Sequence, residues 1–404
     1  MKSLYTLLLI VAFSTINSQN LYLKNIHVFD GNTNSISENS AIKIKNGKIE
    51  WMGKQLPEDP KAYTVINGLG YYLMPGMIDA HTHISNLKAA ERAINSGVTT
   101  VRSASTSSYQ DVALANLSKT GVIAGPDVIS AGVYVSPNLG ETILADPRLS
   151  VLSNGVRTDD DLRLLVQINA DRGVDVIKTR GTERAGLPET DPRQQTYTTA
   201  QLKVVVDEAA KHNLKVMVHA HGDEGARAAV EAGAFSIEHG TYLSRETLML
   251  MKAKGVYLVP TVITIEDLKI PGGEYSNPTL ELRGKFMMPE AEQAVKTAIA
   301  LGVKIATGAD NDYSAESTTR VSLEAEHFVR LGMTNFQALQ STTKIAAELL
   351  GLSAKTGTIE VGKEADLILL PKNPLDHIMA LQDVLMVISN GKVALKRIPF
   401  KLTD

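Results

Sequence analysis

Two histidines stand two residues apart in the segment IDAHTHI, where His81 and His83 follow an apolar run. Side chains at positions i and i+2 of a strand point to the same face, so both imidazoles can converge on one cation. The same spacing also fits two histidines that only make hydrogen bonds. The pair therefore raises the hypothesis of a metal site, which needs support from elsewhere in the chain.

Further residues of suitable chemistry lie at or near the ends of other apolar segments: Lys178 in VDVIKT, His219 and His221 in KVMVHAHG, His239 in FSIEHG and Asp310 in VKIATGAD. Burial lowers the pKa of a lysine, and its neutral amine can react with carbon dioxide to form a carbamate that bridges two metals. The alternative is a lysine whose head reaches solvent. Spacing does not decide which of His219 and His221 is a ligand. The remaining histidines lack such neighbours and are predicted to be surface or structural residues: His27, His212, His327 and His377.

The elements that must position these residues alternate short apolar strands with helix-length amphipathic segments, as βα units of a parallel sheet do. Eight strand candidates are present: MPGMIDAHTH, VTTVRS, VISAGVYV, VDVIKT, KVMVHA, FSIEHG, VYLVPT and VKIATGAD. Thr158 and Thr198 are predicted helix N-caps, and Gly173 and Gly233 predicted helix ends. Eight units match the count of a TIM barrel, and an open doubly wound sheet is the alternative. Both folds bind ligands at the carboxyl ends of their strands, where the polar residues stand.

The flanks of this region read as short strands with tight turns. Alternating residues surround Asn46-Gly47 in AIKIKNGKIEWMG, and a second Asn-Gly pair, Asn390-Gly391, lies within VLMVISNGKVAL. Asn-Gly between strands favours a type I′ hairpin. KNPLD supplies a turn between ADLILL and the last strands. We therefore predict one small β-domain built from both chain ends.

The first residues, MKSLYTLLLIVAFSTINSQN, have the pattern of a secretory signal peptide, with Lys2 before an apolar run and small or polar residues up to Ser18. The run is shorter than the roughly 20 residues that span a bilayer, although a buried helix or a membrane anchor is the alternative. We predict that residues 1–18 are removed and that the mature protein begins near Gln19. It would be secreted or periplasmic, with no stable membrane anchor. The chain has no cysteine, so it forms no disulfides.

The composition describes a soluble globular protein. The 404 residues are 44% apolar and 21% charged, with a formal net charge of −3. This balance argues against nucleic acid or an anionic membrane as a partner and leaves a small-molecule substrate. A homo-oligomer is compatible with the sequence, because the helix faces of a barrel and association surfaces look alike in one sequence.

In this order, PGMIDAHTH, VIKT, VHAHG, SIEHG and TGAD resemble the amidohydrolase superfamily, whose members are metal-dependent hydrolases on a TIM barrel. GVTTVR, SIEHGTYL, MTNFQALQSTTKIAAELLG and GTIEVGKEADLILLPKNPL resemble its imidazolonepropionase-like branch, which includes prolidase-like Xaa-Pro dipeptidases with a carboxylated lysine. The likeness runs from about Leu21 to the last strand. It implies an α/β fold, with a (β/α)8 TIM barrel over residues 74–353 and a small β-sandwich formed by residues 19–73 and 354–404.

The resemblance also implies two divalent metal ions and their ligands. His81, His83 and Asp310 would hold the first ion, His219 and His239 the second, and carboxylated Lys178 would bridge them. His221 would lie near the site without being a ligand. Two divalent cations among neutral imidazoles leave about four positive charges, which the carbamate, Asp310 and a bridging hydroxide reduce to about one. Zinc is the predicted ion, with manganese or iron as alternatives.

The implied reaction is hydrolysis of an amide bond in dipeptides or N-acyl amino acids by the bridging hydroxide, with Asp310 as the catalytic base. The alternatives on the same site are a cyclic-amide hydrolase, a lactonase and a phosphotriesterase-like hydrolase. A metal-binding barrel that has lost catalysis is the alternative outside enzymes. The complete set of ligands argues against it.

The chain departs from its relatives where substrate is chosen. Ser103 follows Arg102 where many relatives have an aspartate, VSPNLGETILADP lacks a frequent Gly-Gly-His, and TRGTERAG replaces a glycine-rich turn. Guanidinium groups bind carboxylates through two parallel hydrogen bonds. We therefore predict that a substrate carboxylate is bound by one of three arginines near the strand ends, Arg102, Arg180 or Arg184, with His221 nearby. The alternative is a solvated loop arginine paired with Glu183 or Glu189.

Overall fold

The computed structural model describes residues 20–271 and 275–398. The predicted signal peptide and the predicted mature start at Gln19 lie outside the described residues. The strands are β1 (Leu21–Val28), β2 (Ser37–Lys45), β3 (Lys48–Lys54), β4 (Thr64–Pro75), β5 (Met77–Thr82), β6 (Val98–Ser103), β7 (Asp127–Ile129), β8 (Val176–Arg180), β9 (Lys215–Ala220), β10 (Ser236–His239), β11 (Tyr257–Val259), β12 (Leu367–Leu370), β13 (Met386–Ser389) and β14 (Lys392–Lys396). The helices are α1 (Leu87–Asn95), α2 (Gln110–Lys119), α3 (Asp159–Asp171), α4 (Thr199–Lys211), α5 (Asp223–Ala232), α6 (Arg245–Lys254), α7 (Val262–Leu268), α8 (Pro278–Leu301), α9 (Val321–Arg330), α10 (Asn335–Thr342) and α11 (Lys344–Leu350). Short 3-10 helices cover Gly140–Ala145, Pro147–Leu152 and Ile378–Gln382.

Two parallel sheets form the centre of the molecule. One has the order β5-β6-β7 and the other β11-β10-β9-β8. Seven of the eight strand candidates contribute a strand, and the eighth, VKIATGAD, contributes backbone hydrogen bonds instead. Ala306 N donates to Leu258 O on one side, and Ala80 N donates to Thr307 O on the other, both at 3.0 Å. Val135 N donates to Lys178 O at 2.9 Å, so hydrogen bonds connect the two sheets at both of their ends.

The helices between these strands begin and end where the sequence indicates. The Thr158 and Thr198 side chains accept backbone N–H groups in complete capping boxes at the starts of α3 and α4. Capping satisfies N–H groups that have no partner within a helix. Gly233 ends α5 with φ 103°, and Gly173 follows α3 with φ 80°, a backbone region that favours glycine. These four predictions are confirmed.

The strands of both chain ends form one seven-stranded sheet, in the order β14-β13-β12-β4-β1-β2-β3. The φ angles of Asn46 and Gly47 are 52° and 80°, and those of Asn390 and Gly391 are 51° and 72°, which is the backbone that a type I′ turn requires. The two turns touch, because a Cβ atom on Gly391 would lie 2.4 Å from Gly47 Cα. The prediction that both ends join is confirmed, while the exact boundary at residues 73 and 74 falls inside β4 and stays a prediction.

Hydrophobic side chains form separate cores under the two parts of the fold. The largest cluster fills the space between the parallel strands and their helices. A second cluster, including Leu23, Ile42 and Leu369, lies under the seven-stranded sheet. Within residues 20–271 and 275–398, no helix is both long and apolar enough to cross a bilayer.

Candidate metal centre

His81, His83 and Asp310 meet at the carboxyl end of β5. Asp310 Oδ1 lies 3.2 Å from His81 Nε2 and 3.4 Å from His83 Nε2. The second ring nitrogen of each histidine makes a hydrogen bond on the other side of the ring. His81 Nδ1 contacts Glu238 Oε2 at 2.7 Å, and His83 Nδ1 contacts Ser105 O at 3.0 Å. Such outer hydrogen bonds fix the tautomer and orientation of metal-binding histidines. Both Nε2 atoms are thus aimed at one point beside Asp310.

His219, His221 and His239 form a second group, in which one ring nitrogen of each lies within 4.8 Å of the others. His219 Nε2 contacts Glu183 O at 3.1 Å, while Nδ1 of His221 and of His239 contact threonine hydroxyls at 2.8 Å and 2.7 Å. The other ring nitrogen of each remains available to a ligand within the group. The geometry does not separate His219 from His221, so the ligand assignment between them stays a prediction.

Burial fixes the protonation of these three imidazoles. Burial lowers the pKa of His221 to about 3, and burial followed by neighbouring histidines lowers the pKa values of His219 and His239 well below the usual value. All three rings are therefore neutral near pH 7 and carry a free electron pair. That is the form in which imidazole binds a metal.

Lys178 lies inside the fold with only 2% of its surface exposed, and its Nζ has no hydrogen-bond partner among the described residues. The Nζ atom lies 5.8 Å from the centroid of the Tyr134 ring. Burial lowers the pKa of Lys178 to about 8. An unpaired buried polar atom is costly unless a partner completes it. The alternative in which the amine reaches solvent is wrong for this structure.

The backbone at the site departs from ordinary strand geometry. His239, Thr261 and Asp310 have φ angles of 70°, 46° and 47°, in the left-handed region that side chains rarely adopt. Such strain concentrates at functional sites. Burial alone would raise the pKa of Asp310, but His81 holds it well below its usual value, with added hydrogen bonds from His81 and His83. Asp310 is thus ionised near pH 7.

Arg102 does not reach this site, which corrects its prediction as a carboxylate-binding residue. It is 2% exposed, and its donors are used within the protein. Nε donates to Ala80 O at 2.7 Å, Nη1 donates to Ser236 Oγ at 3.0 Å, and Nη2 lies 2.9 Å from both Glu238 oxygens. Because Glu238 also contacts His81, Arg102 supports a histidine of the site, and it is not part of the cavity wall.

Two functional residues were missed by sequence reasoning, and both are carboxylates inside apolar strands. Glu238 is fully buried; burial alone would raise its pKa, but Arg102 and then His81 lower it to about 2. Asp79 accepts hydrogen bonds from His81 N, Ala309 N and the Tyr313 hydroxyl at 3.1, 3.0 and 2.8 Å. It joins β5 to the segment that carries Asp310. The signal was present in PGMIDAHTH and SIEHG, where a charge interrupts an apolar run.

A cavity of about 540 Å³ contains the site, and its wall includes Arg180 and Arg184. Arg180 Nη1 donates to Glu183 Oε2 at 3.0 Å, and its guanidinium lies 4.9 Å from the Tyr134 ring centroid, as in the alternative of a loop arginine paired with Glu183. Arg184 is exposed and makes no ion pair with any described residue. Apolar side chains complete another part of the wall: Leu139, Ile265, Leu268 and Tyr275.

Comparison with known proteins identifies the family of this chain. The Amidohydrolase family matches residues 72–394, so the chain belongs to the amidohydrolase family. Ochratoxinase of Aspergillus niger is 30% identical over 387 residues, which covers 85% of this chain and 80% of that protein. Imidazolonepropionase of Sphingopyxis alaskensis is 26% identical over 378 residues, covering 83% of this chain and 87% of that protein.

Among solved structures, a Xaa-Pro dipeptidase with methionine bound in its active site superposes with a TM-score of 0.82. It is 26% identical, and the match covers 93% of this chain and 99% of that one. The predicted resemblance is confirmed. The chain is a hydrolase of carbon–nitrogen bonds.

Proposed function

We propose that this protein is an exported amidohydrolase that uses two divalent metal ions to cleave the amide bond of dipeptides or N-acyl amino acids. The observation that carries the proposal is one cavity that contains two groups of metal-binding side chains together with Lys178, whose amine has no hydrogen-bond partner among the described residues. The family relationship supports the reaction class.

The residues present fit two metal ions. His81, His83 and Asp310 would hold one ion, and His219 and His239 the other, a donor set of imidazole and carboxylate that suits zinc, with manganese or iron as alternatives. The buried Nζ of Lys178 has no hydrogen-bond partner in residues 20–271 and 275–398, and carboxylation would let it bind the metal ions and give it a negative charge. When bound, the pair of cations would acidify water and polarise the scissile carbonyl.

The protein's own residues then move the proton and hold the substrate. Asp310 would accept the proton of the attacking water and deliver it to the leaving amine nitrogen. His221, with Nδ1 fixed by Thr241 at 2.8 Å, would hydrogen-bond the substrate through its second nitrogen.

Arg184 is the better candidate for binding a substrate carboxylate, because Arg180 already pairs with Glu183. The exposed guanidinium of Arg184 lines the cavity and is open to a carboxylate. A free carboxylate beside the scissile amide favours dipeptides and N-acyl amino acids. Cyclic-amide, lactone and phosphotriester substrates need no such partner.

We further propose that the two parallel sheets close into a (β/α)8 barrel and that the chain-end sheet folds into a small β-sandwich. The hydrogen bonds that connect the sheets through residues 303–311 and through Val135 support closure. The fold of the solved relatives is compatible with this architecture.

The proposal of export rests on the first 18 residues, which would be removed as the protein is exported to the periplasm or the medium. N-terminal sequencing of protein from its native host should find a start near Gln19. Cytoplasmic protein that begins with Met1 would contradict export.

The substrate proposal is tested with matched substrates on metal-loaded protein: dipeptides and N-acyl amino acids, each with a free or an amidated C-terminus. Arg184→Ala should lower kcat/KM roughly ten- to hundredfold for free carboxylates and little for amides, because a charge-assisted hydrogen bond is lost. Arg163→Ala, on the exposed face of α3, is the control. Hydrolysis of cyclic amides or lactones in place of both classes, or an Arg184→Ala variant that treats both termini alike, would contradict the proposal.

A further inference from the structure

Arg283 of α8 hydrogen-bonds one loop, and its acceptors among the described residues are all backbone carbonyl groups. The loop covers residues 181–197, after β8, and is called the anchor loop below. Nη1 of Arg283 donates to Ala185 O and Leu187 O at 2.5 and 2.7 Å, and Nη2 donates to Pro188 O and Thr190 O at 3.2 and 2.5 Å. No carboxylate among the described residues lies within ion-pair distance of this guanidinium. The planar guanidinium of Arg283, whose N–H donors point in fixed directions, thus holds a loop in place.

The base of the anchor loop is closed without Arg283. Glu183 N donates to Gln194 O at 2.9 Å, and Thr196 N donates to Gly181 O at 2.8 Å. The Glu183 carbonyl in this base is the group that contacts His219. The orientation of His219 is therefore secured independently of α8.

Residues 184–190 form the tip of the anchor loop, which begins with Arg184. Arg283, which lies outside the loop, donates its hydrogen bonds to this tip. Within the tip, the Thr190 hydroxyl donates to Arg184 O at 2.5 Å. Gly186 packs closely on Tyr275, since a Cβ atom at Gly186 would lie 3.1 Å from Tyr275 Cε1. Arg283 does not line the cavity, so it contacts the tip on a side that does not face the cavity.

The neighbouring residue of α8, Gly284, packs on α7, which forms another part of the cavity wall. A Cβ atom on Gly284 would lie 2.9 Å from Leu268 Cβ, which shows how closely α8 approaches α7. Ile265 and Leu268 of α7 line the cavity. One turn of α8 thus sets the distance between the anchor loop and the apolar wall.

We propose that Arg283 is a positioning residue that holds Arg184 at the cavity and thereby sets the affinity for the substrate carboxylate. This inference rests on the proposed function in one respect, the binding of a carboxylate by Arg184. Without Arg283, the tip must be ordered each time a substrate binds, which weakens binding, whereas the reacting groups keep their geometry. The effect falls on KM and leaves kcat and metal content unchanged.

A spin label tests, without any substrate, whether Arg283 immobilises the tip of the anchor loop. This contact is called the clamp below. The chain has no cysteine, so Glu189→Cys, at an exposed position of the tip, provides one site for a nitroxide label. We expect an immobilised label in the parent, a mobile one in Arg283→Gln and an intermediate one in Arg283→Lys, whose ammonium keeps three donors but no fork. Lys285→Gln, on the exposed face of the same helix, is the control and should match the parent. Equal mobility in the parent and Arg283→Gln would overturn the clamp.

Kinetics of the unlabelled variants test the consequence. Arg283→Gln should raise KM for free-carboxylate substrates roughly tenfold with kcat and metal content near those of the parent. In an Arg184→Ala background the same substitution should raise KM no further, since the group that it positions is gone. A mobile tip with unchanged KM, or equal effects in both backgrounds, would overturn the positioning role. If the parent hydrolyses no carboxylate-bearing amide, the proposed function fails, and the label then decides the clamp alone.

Discussion

The buried pair of Arg102 and Glu238 predicts a large loss of stability when Arg102 is replaced by alanine. Glu238 is fully buried and receives Nη2 of Arg102 at 2.9 Å on each oxygen. After the substitution, the hydrogen bonds from described residues that remain to the carboxylate are those from His81 and Ser236. The buried negative charge of Glu238 then lacks the positive charge of Arg102.

The expected magnitude follows from these contacts. Hydrogen bonds to charged groups contribute about 1.5–3 kcal/mol each, and Arg102 makes two to Glu238 along with one to Ala80 O and one to Ser236 Oγ. Removing Arg102 also removes the cost of burying its own charge. Measurements on buried pairs indicate a net loss of about 3–5 kcal/mol in the free energy of unfolding. For a chain of 404 residues, thermal unfolding should then shift down by roughly 4–6 °C.

The assay is urea unfolding followed by circular dichroism, with chelator present so that metal binding does not contribute. Arg163→Ala is the control, because its guanidinium pairs with Asp160 on the surface and should contribute less than about 0.5 kcal/mol. A second variant replaces both Arg102 and Glu238 by methionine. It should recover most of the stability, as apolar replacement of both partners often does.

The double variant should nonetheless bind metal more weakly, by roughly 10–100-fold, because His81 Nδ1 loses its acceptor. An Arg102→Ala protein within about 1 kcal/mol of the parent would refute the reasoning about the buried pair. If that protein instead showed a raised KM confined to free-carboxylate substrates, Arg102 would be a substrate residue after all.

Three further predictions concern single groups. Lys178→Ala should lose metal from the parent's expected content of about two ions per chain, and elemental analysis that finds both ions would contradict the bridging carbamate. Asp310→Asn should lower kcat roughly 10²–10⁴-fold, and an unchanged acidic limb of the pH–rate profile would remove Asp310 from the mechanism. Burial, and then Asp127, raise the pKa of Asp366 to about 7, so its contribution to stability is lost as pH rises from 3.8 toward 7. Asp366→Asn should therefore gain stability over the parent more at pH 8 than at pH 4 in urea unfolding, and an equal difference at both would contradict the shift.

Much of the architecture was predictable because its signals are local. A capping threonine, an Asn-Gly turn and an apolar run each act within a few residues, so Thr158, Thr198 and the two hairpins could be read directly. The polar residues at strand ends were also readable, since parallel strands bring their carboxyl ends together.

Contacts between distant residues were not predictable from one sequence. Arg102 and Glu238 are 136 positions apart, and nothing near Arg102 in the chain indicates that its partner is a carboxylate of another strand. The contacts of Arg283 are harder still to predict, because its partners are backbone carbonyl groups and every residue has one. Its role depends on where the anchor loop lies in space and on no property of the loop's side chains.

Four charged residues stand at buried positions of the parallel strands, Asp79, Arg102, Lys178 and Glu238, and their partners distinguish their roles. Asp79 has three hydrogen-bond donors and Glu238 has an arginine, a histidine and a serine, so the protein itself offsets the cost of burying each carboxylate. Lys178 has no hydrogen-bond partner among the described residues. A buried amine without a hydrogen-bond partner in the described part of the protein is explained if its partner comes from outside the chain. The unsatisfied lysine, more than the histidines around it, is therefore the feature that argues for a site completed by carbon dioxide and metal.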